Sequence, residues 1–125
     1  METVKKVSDP RVNNVRGFYT ALFRKLYGFA PTISFPRSGA VIKRLLKDFT
    51  EFQSYLLICV HFNWKGVEGT NEFEHKRLKD RAFPIEWVTF NVNPYQAYIR
   101  NVLEIDFDNE EEVKKAVNTY ITQIN

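Results

Sequence analysis

The chain is poor in the residues that most often carry metal binding, redox chemistry or covalent cross-links. Among its 125 residues there are one cysteine, two histidines and one methionine. A lone Cys59 excludes an intrachain disulfide, and with only His61 and His75 beside it the chain falls short of the about four ligands that a zinc site needs. Glycine is scarce too, at five residues. No phosphate-cradling glycine loop, Gly-x-Ser-x-Gly elbow or dinucleotide fingerprint can be read from them. The longest purely apolar run, residues 55–60, is six residues, against the ~20 needed to cross a bilayer. No apolar stretch with a small-residue cleavage site stands near the first residues, so a cytoplasmic protein without a membrane partner is expected. Repeats, low-complexity tracts and internal linkers are likewise missing. At ~150 residues per domain, this leaves one domain over residues 1–125, with residues 1–8 expected as a flexible N-terminus.

What is present is an ordinary globular composition, 44% apolar and 26% charged, with aromatics at 15%. The net charge of +3 is unevenly placed. Residues 1–50 hold ten Lys/Arg against three Asp/Glu, residues 51–103 six against six, and residues 104–125 two against six. The chain therefore runs from +7 through neutral to −4. A basic first segment points to an acidic partner rather than to a reaction.

Punctuation and periodicity predict helices. Asp9 followed by Pro10 opens a helix over residues 10–27, in which Val15, Phe18, Tyr19, Leu22, Phe23 and Leu26 recur at three- and four-residue spacings until Gly28 ends it. Residues 30–36, with two prolines, read as an extended connector. A second helix is expected from Ser38, its apolar set Val41, Ile42, Leu45, Leu46 and Phe49 facing away from Lys43, Arg44 and Lys47. Thr50 with Gln53 forms a capping box before a third helix, the most apolar of the chain. Asn71 with Glu74 suggests a short charged helix to about Ala82. Pro84 and Asn93-Pro94, the latter boxed by Gln96, mark one kinked or two short helices over residues 84–103. Asp108 with Glu111 caps a final helix carrying the stripe Val113, Val117, Tyr120, Ile121 and Ile124. The expected fold class is all-α, a single domain of five or six short helices. A short hairpin over residues 83–92 is the competing reading, because Val88-Thr89-Phe90-Asn91-Val92 has high β-propensity.

Catalytic and metal sites find little support in these spacings. Cys59 and His61 are two apart on a predicted helix, which turns them about 200° away from each other and removes the imidazole as a base for the thiol. The expected environments are a buried thiol and a partly exposed imidazole. The string Glu104-Ile105-Asp106-Phe107-Asp108 fails as a calcium loop, since starting it at Asp106 puts Glu111 where a turn glycine is required and Val117 where the bidentate glutamate belongs. Glu112-Val113-Lys114 lies on a predicted helix, without the strand carboxylates a magnesium nuclease would use. No catalytic residue, metal ligand or cofactor is assigned, and a non-enzymatic protein is expected.

Two basic clusters remain. Lys43, Arg44 and Lys47 share one helical face, and Lys76, Arg77, Lys79 and Arg81, with His75, follow the glycines at 66 and 69. With Arg24 and Lys25 they form the candidate nucleic-acid contacts, and Trp87 and Tyr95 are candidate rings for stacking on bases. The competing reading makes each cluster a solvated helix face neutralised by Asp48, Glu74 and Asp80, and makes Trp64, Trp87, Tyr95 and Tyr98 packing residues.

The run Leu26-Tyr27-Gly28-Phe29-Ala30-Pro31, followed by Ile42-Lys43-Arg44-Leu45-Leu46-Lys47-Asp48-Phe49-Thr50, resembles small helical modules of bacteriophage replication proteins, of the replisome-organiser or helicase-loader kind. The resemblance covers residues 19–64, about a third of the chain. It implies a phage or prophage origin, a bacterial cytoplasm, and an accessory role in DNA replication or recombination with DNA and replication-protein partners. It carries over no catalytic residue. The alternative from another class is a protein-interaction module, or an inhibitor of a host or defence enzyme, that docks a partner or a second copy through its aromatic surface or final amphipathic helix.

Overall fold

Local capping chemistry fixes several helix ends, and packing arranges the helices between them. In the computed structural model, residues 9–31, 35–62 and 85–124 are described. Helix α1 spans Pro10–Tyr27. Its start is capped by Asp9, whose carboxylate accepts from the Arg11 amide at 3.0 Å, and proline at the first position forfeits no needed donor. Gly28 ends it in the left-handed region at φ 82°, its amide donating to the Arg24 carbonyl at 2.7 Å. Helix α2 spans Phe35–Asp48, three residues longer at its start than the sequence suggests. Pro36 was expected in an extended connector; it sits in the first helical turn, where a missing amide costs nothing. Residues 32–34 of that connector lie outside the described residues, as do the flexible tail expected at 1–8 and the short helix expected after Asn71.

Helix α3, Glu51–Phe62, opens on the predicted capping box: Gln53 accepts from the Thr50 amide at 2.8 Å and the Thr50 hydroxyl accepts from the Gln53 amide at 3.1 Å. The Gln53 side-chain amide also donates to the Phe107 carbonyl at 2.7 Å, pinning the helix start to a loop more than fifty residues away. From Leu56 to Phe62 every residue is buried. Around this helix pack α1, α2, α4 (Val92–Asn101) and α5 (Glu110–Ile124), while α2 also packs against a 3-10 turn at Ile85–Trp87.

No strand occurs among the described residues, so the hairpin considered over 83–92 is replaced, from residue 85, by that turn and the first residue of α4. Val88 and Ile85 are buried at the turn, and the Val88 amide donates to the Ile85 carbonyl at 3.1 Å; tertiary burial overrides the β-propensity of this stretch. Two predicted caps shift. Helix α4 begins two residues before Pro94's expected position allows, at Val92, with the Tyr95 amide closing on the Asn91 carbonyl. Helix α5 is capped by Asn109, which accepts from the amides of Glu111 and Glu112 at 3.1 and 3.3 Å, and not by Asp108. Asp108 instead pairs with Arg100 at 3.2 Å.

Two close approaches hold α1 to α2. The Arg16 guanidinium donates to the hydroxyl of fully buried Ser38 at 3.1 Å, and a Cβ at Gly39 would meet that guanidinium at 3.1 Å. At the other end of α1, an alanine in place of Gly28 would meet nothing within 4 Å, so its effect is purely conformational. Gly28→Ala is expected to cost about 1–2 kcal/mol for a left-handed alanine, read as a lower urea midpoint at unchanged slope.

Candidate nucleic-acid interface

The outer face of α2 is a basic surface. At 100° per residue, Ile42, Leu45 and Leu46 point inward and are buried, while Lys43, Arg44 and Lys47 point the opposite way and are exposed. Because α2 starts at Phe35, the stripe gains a member that the sequence reading left in the connector: Arg37, exposed, lies two turns before Arg44 on the same side. From Arg37 to Lys47 the stripe is about 15 Å long.

Helix α1 contributes the second basic element. It carries Arg11, Arg16, Arg24 and Lys25 and no carboxylate between Pro10 and Tyr27. Its small residues Gly17, Thr20 and Ala21 floor a shallow trough bordered by Asn13 and Arg16 at one end and by Arg24 and Lys25 at the other. Arg24 and Lys25 are exposed in the last turn, where the helix dipole also favours cations. Together α1 and α2 hold eight Lys/Arg against the single Asp48, an excess of seven.

The cations divide by what they touch. Arg11 is bound by Asp9 at 2.7 Å, and its hydrogen bonds hold the Asp9 carboxyl below the usual carboxylate range. Arg100 pairs with Asp108 and lies over the Phe107 ring; Lys114 pairs with Glu111 at 3.9 Å and lies over the Phe52 ring. Arg16 donates to Ser38 and, at 2.9 Å, to Asn13. Arg24, Lys25, Arg37, Lys43, Arg44 and Lys47, by contrast, have no carboxylate within 4 Å among the described residues. Even Asp48, one turn beyond Arg44, makes no ion pair with it.

The remaining sequence candidates fare unequally. Lys76, Arg77, Lys79 and Arg81, with His75, lie outside the described residues, as do Trp64 and the side chain of Trp87. Tyr95 is not a stacking platform. Its side chain is 0% exposed, because α4 turns it toward α3, and its hydroxyl lies 2.7 Å from Nδ1 of His61. His61 is itself fully buried, where a partly exposed imidazole was expected; amphipathic spacing alone could not show that α3 is covered on every side. Cys59 is buried two residues away, and burial pushes its thiol well above the ordinary range. No three of His, Cys, Asp and Glu gather as a metal ion would require among the described residues. The acidic string before α5 is structural: Asp106 accepts from the Asp108 amide at 3.1 Å and Phe107 is buried between them. No described helix is long and apolar enough to cross a membrane.

A cleft of about 360 Å³ lies between α3, α4 and α5, lined mainly by Leu56, Val60, Tyr98, Leu103, Ile105 and Tyr120. Burial raises the Tyr120 phenol to about 12. Of the α5 stripe, Val113 and Val117 are buried in the shared core, Tyr120 and Ile121 are partly buried against it, and the side chain of Ile124 lies outside the described residues.

The buried Tyr95 hydroxyl separates a packing role from a stacking one. Tyr95→Phe is expected to lower stability by about 1–3 kcal/mol, by stripping a partner from a buried polar atom, and to leave nucleic-acid affinity unchanged. Urea denaturation and anisotropy titration check the two halves.

In comparisons with known proteins, no family model, no curated protein and no solved structure matches this chain, so the residues above carry the functional reading by themselves.

Proposed function

We propose that the chain is a non-enzymatic accessory protein of DNA transactions, binding the phosphate backbone without sequence preference through α1 and α2. The observation that carries this reading is the number of free cations on these two helices: Arg24, Lys25, Arg37, Lys43, Arg44 and Lys47 are exposed and unpaired among the described residues, whereas beyond α2 the described cations are Arg100 and Lys114, each held by a carboxylate and a ring, and Lys115, exposed without an ion pair. Unpaired cations neutralise phosphates and release condensed counterions, which is the main source of sequence-independent affinity. The Asn side chains on α1 are engaged within the chain, Asn13 accepting from Arg16 and Asn14 donating to Glu51, so phosphate contact is the mode favoured. The setting, in bacteriophage DNA replication or recombination in a bacterial cytoplasm, is drawn from the resemblance over residues 19–64.

The test is a salt series. The chain is expected to bind labelled DNA at about 50 mM salt and to lose that affinity steeply toward about 200 mM. Replacing Lys43, Arg44 and Lys47 together by Gln is expected to leave the fold intact, since all three side chains are exposed. The same variant should flatten the slope of log affinity against log salt by about 3. No binding of single- or double-stranded DNA at low salt overturns the proposal.

A further inference from the structure

The cleft between α3, α4 and α5 takes no lining residue from the basic helices α1 and α2, and one of its walls is fixed by backbone geometry. Leu103 and Ile105 form that wall. The Leu103 amide donates to the Tyr98 carbonyl and the Ile105 amide to the Ile99 carbonyl, each at 3.0 Å, with Glu104 between them in the left-handed region at φ 54°. A residue with a side chain adopts that conformation at a cost; here it closes the end of α4 and sets two apolar side chains on the cleft. Leu103 remains 42% exposed there. Buried Leu56 and Cys59 of α3 supply the floor, and Ala116 and Tyr120 of α5 the facing side.

We infer that this cleft binds an uncharged, mainly apolar small molecule that carries a hydrogen-bond acceptor, such as a medium-chain ketone or ester. Volume, charge and the inventory of donors each narrow the class. At about 360 Å³ the cleft falls within the ~300–1,000 Å³ of small-molecule sites. Taking a water's share of liquid volume, about 30 Å³, as the space of one heavy atom, it holds roughly a dozen. A single turn of α-helix, about 10 Å across and 5.4 Å long, already fills roughly 420 Å³, so the space suits a small molecule and not a docked helix. The edge carries one charge of each sign, Glu112 and Lys115, both exposed and neither in an ion pair among the described residues. An ionic ligand attracted by one is repelled by the other. The interior is uncharged as well: burial pushes the Cys59 thiol well above its ordinary range and the Tyr120 phenol up to about 12, so both keep their protons at neutral pH. Of the hydroxyls on the lining, that of Thr119 is spent on the Lys115 carbonyl at 2.9 Å, whereas those of Tyr98 and Tyr120 make no hydrogen bond among the described residues. A partly buried phenol without a partner favours a ligand that brings an acceptor.

The test titrates 2-decanone into the full chain labelled with nitrogen-15 and follows the amide shifts, with decanoate and decylammonium as the anionic and cationic counterparts. Saturable shifts are expected around the end of α4 and along α5, and both ions should bind at least about ten-fold more weakly than the ketone. Tyr120→Phe should weaken ketone binding by about two- to ten-fold while leaving the urea midpoint unchanged or raised, because the hydroxyl removed had no partner. A purely structural role for Tyr120 would lower the midpoint and leave ketone affinity alone. Thr119→Trp, at an exposed position on the edge, should fill the space and abolish binding with the fold retained. Ala116→Leu fills it from the same helix and serves if the tryptophan variant does not fold. No saturable shift up to the solubility limit of the ketone, or shifts centred away from the cleft, overturns the inference. Binding of either ion that equals or exceeds that of the ketone overturns the uncharged class. Self-association that Thr119→Trp abolishes, without ketone binding to the unmodified chain, assigns the cleft to a second copy and overturns it too. The nucleic-acid reading stands or falls separately, since neither α1 nor α2 lines the cleft.

Discussion

From Leu56 to Phe62, seven consecutive residues of α3 are less than a tenth exposed. A helix buried around its whole circumference cannot be covered by one partner, because residues at 100° intervals face every direction. The protein meets this with a ring of neighbours: α1 and α2 on one side, α4 and α5 on others. Each of these needs to be apolar only where it faces the centre, so their outer faces are left to carry charge. The polar atoms that α3 draws inside are matched locally. The Ser54 hydroxyl returns to the Thr50 carbonyl at 2.9 Å, and His61 is met by the Tyr95 hydroxyl.

That arrangement also sorts the charges. The carboxylates cluster before and within the first turn of α5, where Asn109 caps the helix and the dipole favours Glu110, Glu111 and Glu112. Arg100 and Lys114 stand beside them and are paired. The cations of α1 and α2 stand among almost no carboxylates of their own: Asp48 is the one acid inside either helix, Asp9 engages Arg11 at the start of α1, and Glu51 reaches α1 through Asn14. A net charge of +3 thus conceals two surfaces of opposite character.

How far the sequence could be read followed from where the decisive interaction lay. Helix α1 was legible to the residue because Asp9, Pro10 and Gly28 act on their immediate neighbours. The Thr50–Gln53 box was legible for the same reason. Where several capping residues stand side by side, as in Asp106, Asp108 and Asn109, any one could cap, and the choice fell to Asn109 because Arg100 engages Asp108. The start of α2 was hidden by Pro36, which reads as a breaker but is harmless in a first turn, and with it Arg37 was lost from the basic stripe. Tyr95 and Phe29 show the limit most clearly. Both are aromatics near helix boundaries, and only the packing of α4 onto α3 buries one while the turn at Gly28 exposes the other.

The basic face of α2 is carried against a cost that can be sized. Lys43 with Lys47, and Arg44 with Lys47, are like-charge neighbours one turn apart, each worth about 0.2–0.5 kcal/mol against the helix. The one local remedy, Arg44 with Asp48, is not closed into an ion pair. On the inner face, burial of Ile42, Leu45 and Leu46 contributes roughly 1.5–3 kcal/mol per side chain. Packing therefore exceeds repulsion several-fold, and α2 stays folded with its charge uncompensated. Salt then acts in two opposite senses on the same residues. It screens the repulsion within α2, favouring the free chain, and it competes for the phosphates that those cations would contact, disfavouring the complex. A surface whose cations merely kept the chain in solution would show the first effect alone.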